Sequence, residues 1–179
     1  AYCFEILNGV LKEYQLLEDG RREISDFFRK GDLIGYYAVP RRLETVEAVT
    51  RVEVRCIPRN AFFQRMDQSP SFSRGVVEIL IERLARAHSR MLILGRMSAH
   101  QRVASFLLRL ADGADGEECA IEMSRQDIAD HLGLTIETVC RALTDFKKRN
   151  LIAMPVARRF SVTDRPGLES EADIMPSLN

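Results

Sequence analysis

The stretch from Ser124 to Asn150 constrains the chain most. Ser124-Arg125-Gln126-Asp127 is a variant of the capping box, in which the Ser hydroxyl caps a helix start and the third residue onward reaches back to the cap amide. Apolar residues at Ile128, Ala129 and Leu132 carry that helix to a break at Gly133. Thr135 then supplies a second N-cap. The helix it opens runs to about Asn150, with Val139, Leu143 and Phe146 on the core side and Ala142 nearby. Two helices joined by a tight turn containing Gly make a helix-turn-helix. On the second helix Ile136, Glu137, Cys140 and Arg141 cluster near the N-terminal end on another face, because residues three and four apart are neighbours.

That is the end of a recognition helix that enters a major groove. Arg can donate two hydrogen bonds to guanine O6 and N7, and Glu can accept from cytosine N4. Glu137 and Arg141 therefore suit a half-site containing G·C pairs. The competing reading is a surface ion pair between residues four apart, worth a few tenths of a kcal/mol. Both hold if the pair orients Arg141 before DNA arrives. Downstream, Leu151 to Ala153 and Arg159 to Val162 read as a β-hairpin with Pro155 to Arg158 near its tip, a wing that completes a winged helix-turn-helix. Arg158 and Arg159 there would meet phosphates, as would Arg125, Thr135 and Thr138 at the helix starts; such contacts position a protein on DNA without reading sequence.

Charge permits this reading without requiring it. The whole chain is neutral, but Ser124 to Arg159 holds seven cations, Arg125, Arg141, Lys147, Lys148, Arg149, Arg158 and Arg159, against Asp127, Asp130, Glu137 and Asp145.

The N-terminal part reads differently. From Ala1 to about Asn60, short runs rich in branched and aromatic residues are punctuated by turns such as Glu18-Asp19-Gly20, as in a β-sandwich or barrel. Around Pro70 the period changes. Val77, Leu80, Leu84, Ala87, Met91 and Leu94 alternate at three- and four-residue spacing, an a/d seam on one long helix. Glu78, Glu82, Arg83, Arg86 and Arg90 lie off it. The seam either docks on the β-domain or pairs with a second copy, and its sustained heptad phase favours a parallel homodimer. A helix over 99–111 and a short strand at 120–122 follow. The expected domains are a partial β-roll over 1–70, a dimerisation helix over 71–96, a winged helix-turn-helix over 97–165 and a disordered polar tail over 166–179, an α+β architecture.

The remaining features mostly exclude. At 179 residues and 46% hydrophobic the chain can build one large or two small domains. No apolar run approaches the ~18 residues of a membrane span, and the start, Ala1-Tyr2-Cys3-Phe4-Glu5, has no signal-peptide pattern. It has no initiator Met and begins in mid-strand, which predicts an N-terminally incomplete chain. Cys3, Cys56, Cys119 and Cys140 are scattered, with no ligand spacing for zinc or an iron–sulfur cluster, so no metal or cofactor is expected and a cytoplasmic location is. There is no Gly-rich phosphate loop and no Ser/His/Asp arrangement, so no enzyme is expected; His88, His100 and His131 read as isolated surface or packing residues.

The block from Met123 to Arg141 closely resembles the DNA-binding signature of the CRP/FNR regulators, and its Leu-Thr-Ile-Glu-Thr-Val tract (134–139) looks most like the FNR and FixK branches. Gly31-Asp32-Leu33-Ile34-Gly35 is similar to a turn of the family's cyclic-nucleotide-binding β-roll, and Gly20 to Ile24 also resembles FixK-type chains. The resemblance implies an activator that binds as a dimer to a TTGAT-type inverted repeat and works with RNA polymerase, in nitrogen fixation or the response to oxygen. By it, Glu137 and Arg141 fall at base-reading positions. Ile136 stands where the cyclic-AMP branch has a further Arg, and Cys140 replaces a Ser. Sulfur is the poorer hydrogen-bond donor, so that base contact becomes looser or apolar. Oxidation of Cys140 to a sulfinate would set negative charge against phosphates, a redox brake. Nucleotide-binding members carry Gly-Glu-Leu followed by an Arg with a small hydroxylated residue. This chain has Gly35-Tyr36-Tyr37 and Leu43-Glu44-Thr45, which removes the acid for the ribose and sets Glu44 against the phosphate. A regulator acting without a cyclic nucleotide fits these residues; the alternative is a small molecule or redox cofactor that switches the β-roll.

Overall fold

The computed structural model describes residues 1–36, 44–114, 116 and 118–172. They divide into two compact units, Ala1–Arg90 and Met91–Asn179.

The first unit begins with β1 (Tyr2–Asn8), β2 (Leu11–Leu16), β3 (Arg22–Phe28), β4 (Leu33–Ile34), β5 (Thr45–Ala48) and β6 (Glu53–Pro58). They form two antiparallel three-stranded sheets, β4-β1-β6 and β3-β2-β5. Sequence pattern runs β1 and β2 together; Gly9 separates them. Its φ of +88° is open to glycine, and a Cβ there would run into the Arg51 carbonyl. Ile6, Leu11 and Phe28 pack between the sheets. Tyr37 and Leu43, in the two motifs compared above with nucleotide binders, lie outside the described residues.

Residues 60–70, assigned by sequence to the β-roll, contain a helix, α1 (Arg59–Gln68). No side chain caps its start. What holds it is burial: Phe62, 2% exposed, joins Cys3, Leu33 and Val76 in an apolar cluster. The long helix α2 (Pro70–Arg96) follows. Its expected seam faces outward: Val77, Leu80, Leu84 and Met91 are exposed, as is Ala87, and Leu94 is half-buried. Ile81 and Leu92, off the seam, are exposed as well. A second stripe with the same spacing, Phe72, Val76, Ile79, Arg83, Arg86 and Arg90, docks on the β-strands. Phe72, Val76 and Ile79 enter the apolar cluster. The three arginines meet carboxylates: Arg83 meets Glu13 at 2.8 Å, Arg86 meets Asp32 at 2.9 Å, and Arg90 meets Glu23 at 3.1 Å. The helix therefore docks on the β-strands through this second stripe, and the expected seam is left exposed.

The second unit holds α3 (Ala99–Asp112), β7 (Cys119–Ala120), α4 (Arg125–Leu132), α5 (Ile136–Lys148), β8 (Ile152–Val156), β9 (Arg159–Val162) and α6 (Arg165–Glu171), with the sheet ordered β7-β9-β8. The hairpin turn is tighter than expected, because Pro155 and Val156 still belong to β8 and only Ala157-Arg158 turn. The expectation of disorder from residue 166 is corrected over its first part. Asp164 caps α6, Leu168 and Ala172 are fully buried, and Arg165 pairs with Asp112 at 2.7 Å. Two apolar residues inside a polar segment were enough to fix it; residues 173–179 lie outside the described residues.

Candidate nucleic-acid interface

The reading head is built by its caps. Ser124 Oγ accepts from the Asp127 amide at 3.0 Å, and Asp127 Oδ2 accepts from the Ser124 amide at 3.2 Å, the full reciprocal box. At the other end of α4, Gly133 adopts the left-handed conformation (φ 62°, ψ 42°) that reverses the chain in one residue. Thr135 Oγ1 then accepts from the Thr138 amide at 3.2 Å and starts α5. Val139, Ala142, Leu143 and Phe146 are all buried, so the opposite face of α5 must look outward.

Sequence reasoning missed a residue that secures this arrangement. Arg102 of α3 donates to the Leu132 carbonyl at 2.9 Å and the Leu94 carbonyl at 3.0 Å, and its Nε reaches Met97. It satisfies carbonyls that helix ends leave unpaired, one of them at the turn itself. Nothing about a lone Arg inside an apolar helix pattern signals that role.

On the outward face Glu137, Cys140 and Arg141 come together, as expected, and with Thr144, Asp145, Lys148 and His100 they line a concavity of about 710 Å³. Ile136 is exposed beside this group without lining the hollow. Among the described residues Glu137 and Arg141 are not ion-paired. The Glu137 carboxyl is nonetheless held below its ordinary range, first by its own backbone amide, then by the Thr135 hydroxyl, with the Arg141 charge the weakest cause. It stays an anionic acceptor at neutral pH, as pairing with a cytosine amine requires.

The residues expected at phosphates divide. Arg158 is exposed at the wing turn. Arg159 is exposed too, but holds Glu118 at 2.8 Å. Arg125 is half-buried and donates to the Ala157 carbonyl at 2.7 Å, tying the start of α4 to the wing. Burial, and after it the like charge of Arg158, lower its pKa, while Cys140 acts the other way. Thr135 and Thr138 sit hydroxyl to hydroxyl at 3.1 Å on the first turn of α5. Cys140 and Cys56 are exposed and free, whereas Cys3 and Cys119 are buried. Among the described residues no group of three or more His, Cys, Asp or Glu is placed to hold a metal, and no helix is long and apolar enough to cross a membrane.

In the first unit Tyr36, beside Gly35, accepts a hydrogen bond from Arg83 at 3.0 Å. The same guanidinium holds Glu13 and lies 4.8 Å from the centre of the Phe28 ring. Burial pushes the Glu13 carboxyl up, Arg83 draws it back, and the nearby charge of Glu44 adds to the rise.

Comparison with known proteins agrees with both halves. The Crp-like helix-turn-helix domain matches residues 101–171, and the cyclic nucleotide-binding domain matches residues 1–69. The nitrogen fixation regulation protein FixK of Rhizobium meliloti is 36% identical over 94% of this chain and 77% of its own length. Its namesake from Azorhizobium caulinodans is 37% identical over 92% of this chain and 69% of its own. The solved structure of FixK2 from Bradyrhizobium japonicum superposes with a TM-score of 0.87 at 34% identity, covering 94% of this chain and 86% of that one.

Proposed function

The chain belongs to the CRP/FNR family of DNA-binding transcription regulators, among its FixK-type members, and from that premise we propose that it binds a TTGAT-like inverted repeat as a homodimer, with Glu137 and Arg141 reading bases in each half-site. The observation that carries the reading is the outward face of α5: an anionic acceptor and a guanidinium one helical turn apart, at the start of a helix whose other face is buried. Cys140 and Ile136 border the same bases. Thr135, Thr138, Arg125, Arg158 and Arg159 hold phosphates around them, Arg159 after releasing Glu118. The bare seam on α2 (Val77, Leu80, Leu84, Ala87, Met91 and Leu94) supports a parallel two-helix contact, which sets the two reading heads for an inverted repeat. Transcription is activated in the cytoplasm through RNA polymerase; the FixK relatives' name points to genes of nitrogen fixation, and genes of the oxygen response are a further expected target.

The β-roll works without a cyclic nucleotide. Supporting this, Tyr36, at the place of the acid by the resemblance above, is bonded to Arg83, and Glu44, which the resemblance sets against the phosphate, lies close enough to Glu13 for their charges to interact.

A gel-shift with a TTGAT-type palindrome and no added ligand tests the reading. The parent is expected to shift the palindrome, and Glu137→Ala or Arg141→Ala to lose preference at one base pair per half-site, about 1–3 kcal/mol each. Unchanged base preference in both variants would remove these residues from the reading head, and failure of ligand-free protein to bind would restore the effector-gated alternative.

A further inference from the structure

The concavity on the reading face is not walled by α5 alone. Glu137, Cys140, Arg141, Thr144, Asp145 and Lys148 of α5 line it together with His100, from the first turn of α3. Sequence leaves His100 isolated; the fold puts it next to the reading face. Its position is well defined. Ser98 and Gln101 close a capping box around the start of α3. The imidazole meets the buried Phe146 ring edge-on, with centroids 5.6 Å apart and planes at 80°. Its Nε2 lies 3.9 Å from Asp145 Oδ2, and both side chains are 43% exposed.

Asp145 is an acid on a face that would meet polyanionic DNA. Arg149 approaches it from one side at 3.2 Å, while also holding Glu171 at 2.7 Å. His100 approaches it from the side of the concavity. A neutral imidazole leaves much of the Asp145 charge facing the approaching backbone. A protonated one offsets that charge and offers a cationic N–H donor, the stronger kind of hydrogen bond to a phosphate oxygen.

We propose that His100 is a further DNA-contacting residue, holding a backbone phosphate in its protonated form and making DNA affinity depend on pH. The proposal rests on the reading that the α5 face meets DNA. The charged and titratable groups facing His100 are Asp145 and, across the hollow, Glu137, Arg141, Lys148 and the Cys140 thiol; Arg149 reaches it through Asp145. Imidazole is the one side-chain type here whose charge changes within the physiological pH range. A nearby phosphate favours the charged imidazole, so binding takes up a proton and affinity falls as pH rises.

The test measures affinity by fluorescence anisotropy, in reducing buffer, at about pH 6 and about pH 8, where an imidazole changes charge. Parent, His100→Gln and His100→Lys are compared on the palindrome and on a random duplex. A phosphate contact is independent of sequence, so the random duplex tests His100 even if the operator assignment is wrong. Between the two conditions the parent is expected to lose about tenfold more affinity per half-site than His100→Gln, the equivalent of one charge-assisted hydrogen bond each. At the lower pH its salt dependence should be steeper than that of His100→Gln by about 0.9 per half-site, one phosphate neutralised. His100→Lys, cationic throughout, should bind at the higher pH as the parent does at the lower. Parallel pH profiles and equal salt slopes for parent and His100→Gln, or a His100→Lys variant that keeps the parent's pH dependence, overturn the proposal.

Discussion

The bond set around Arg83 makes the sharpest prediction about the first unit. Arg83→Met keeps the aliphatic stem over Phe28 and removes the guanidinium from Glu13 and Tyr36. The Glu13 side chain is 5% exposed and that of Arg83 19%, so water replaces little of what is lost. Breaking a buried pair by deleting one partner costs about 3–5 kcal/mol, because the other charge is stranded. The residual exposure of Arg83 points to the lower end, and ~3 kcal/mol in a unit of this size corresponds to a fall in Tm of roughly 12–24 °C. The sign of its pH dependence follows from Glu13. Burial already raises that carboxyl above its ordinary value. An acid raised in the folded state contributes stability that is full below its unfolded value and lost as pH rises through the folded one. Removing Arg83 raises Glu13 further, so the deficit should be largest at neutral pH and shrink on acidification. Glu13→Gln combined with Arg83→Met removes the carboxylate charge that has lost its guanidinium and should recover most of the loss at neutral pH. Thermal unfolding of the full chain across this pH range reads all three. A loss under about 1 kcal/mol, or a double variant no more stable than the single, would show that Arg83 and Glu13 do not depend on each other as argued.

Two further outcomes follow. Leu84→Glu places an acid in the middle of the exposed seam; with ~2 kcal/mol of apolar burial lost per copy, dimer dissociation should rise about a thousandfold. Sedimentation would read it, and an unchanged dimer would remove Leu84 from the contact. Peroxide treatment should weaken operator binding by the parent and leave Cys140→Ser unaffected, if oxidation there sets negative charge against phosphates. Equal loss in both proteins would dismiss the thiol brake.

The reading head was legible because its information is local. A cap, a glycine and a helical period occupy adjacent positions, and Ser124, Gly133, Thr135 and the buried face of α5 fall where those rules put them. What escaped was decided by residues far apart in the chain. Phe62 makes α1 a helix by filling a cluster with Cys3 and Leu33. Leu168 does the same for α6, in a stretch whose composition reads as solvated. Arg102 braces the turn from 30 residues away, and no spacing rule connects it to Leu132. His100 failed for the same reason, since its neighbours belong to α5. The seam on α2 is visible in the sequence, but its charged companion stripe shows there only as residues off the seam. Arginine at heptad spacing looks like a solvated face until its carboxylates, on β2, on β3 and beside β4, are located.

That companion stripe explains how one helix can serve two surfaces without confusing them. Phe72, Val76, Ile79, Arg83, Arg86 and Arg90 repeat with the same three-and-four spacing as Val77, Leu80, Leu84, Ala87 and Met91. Were positions 83, 86 and 90 apolar, α2 would carry two equivalent seams, and either could dock on the β-roll or on a second helix. Paired arginines stabilise less than well-packed apolar residues would, but a guanidinium without its carboxylate is costly to bury. Only the face that finds Glu13, Asp32 and Glu23 can therefore turn inward. The apolar stripe is left outward, where Val77, Leu84 and Met91 are 48%, 57% and 69% exposed. The ion pairs thus give up some stability and fix which side of the helix is left exposed, the side on which the proposed second copy would pack.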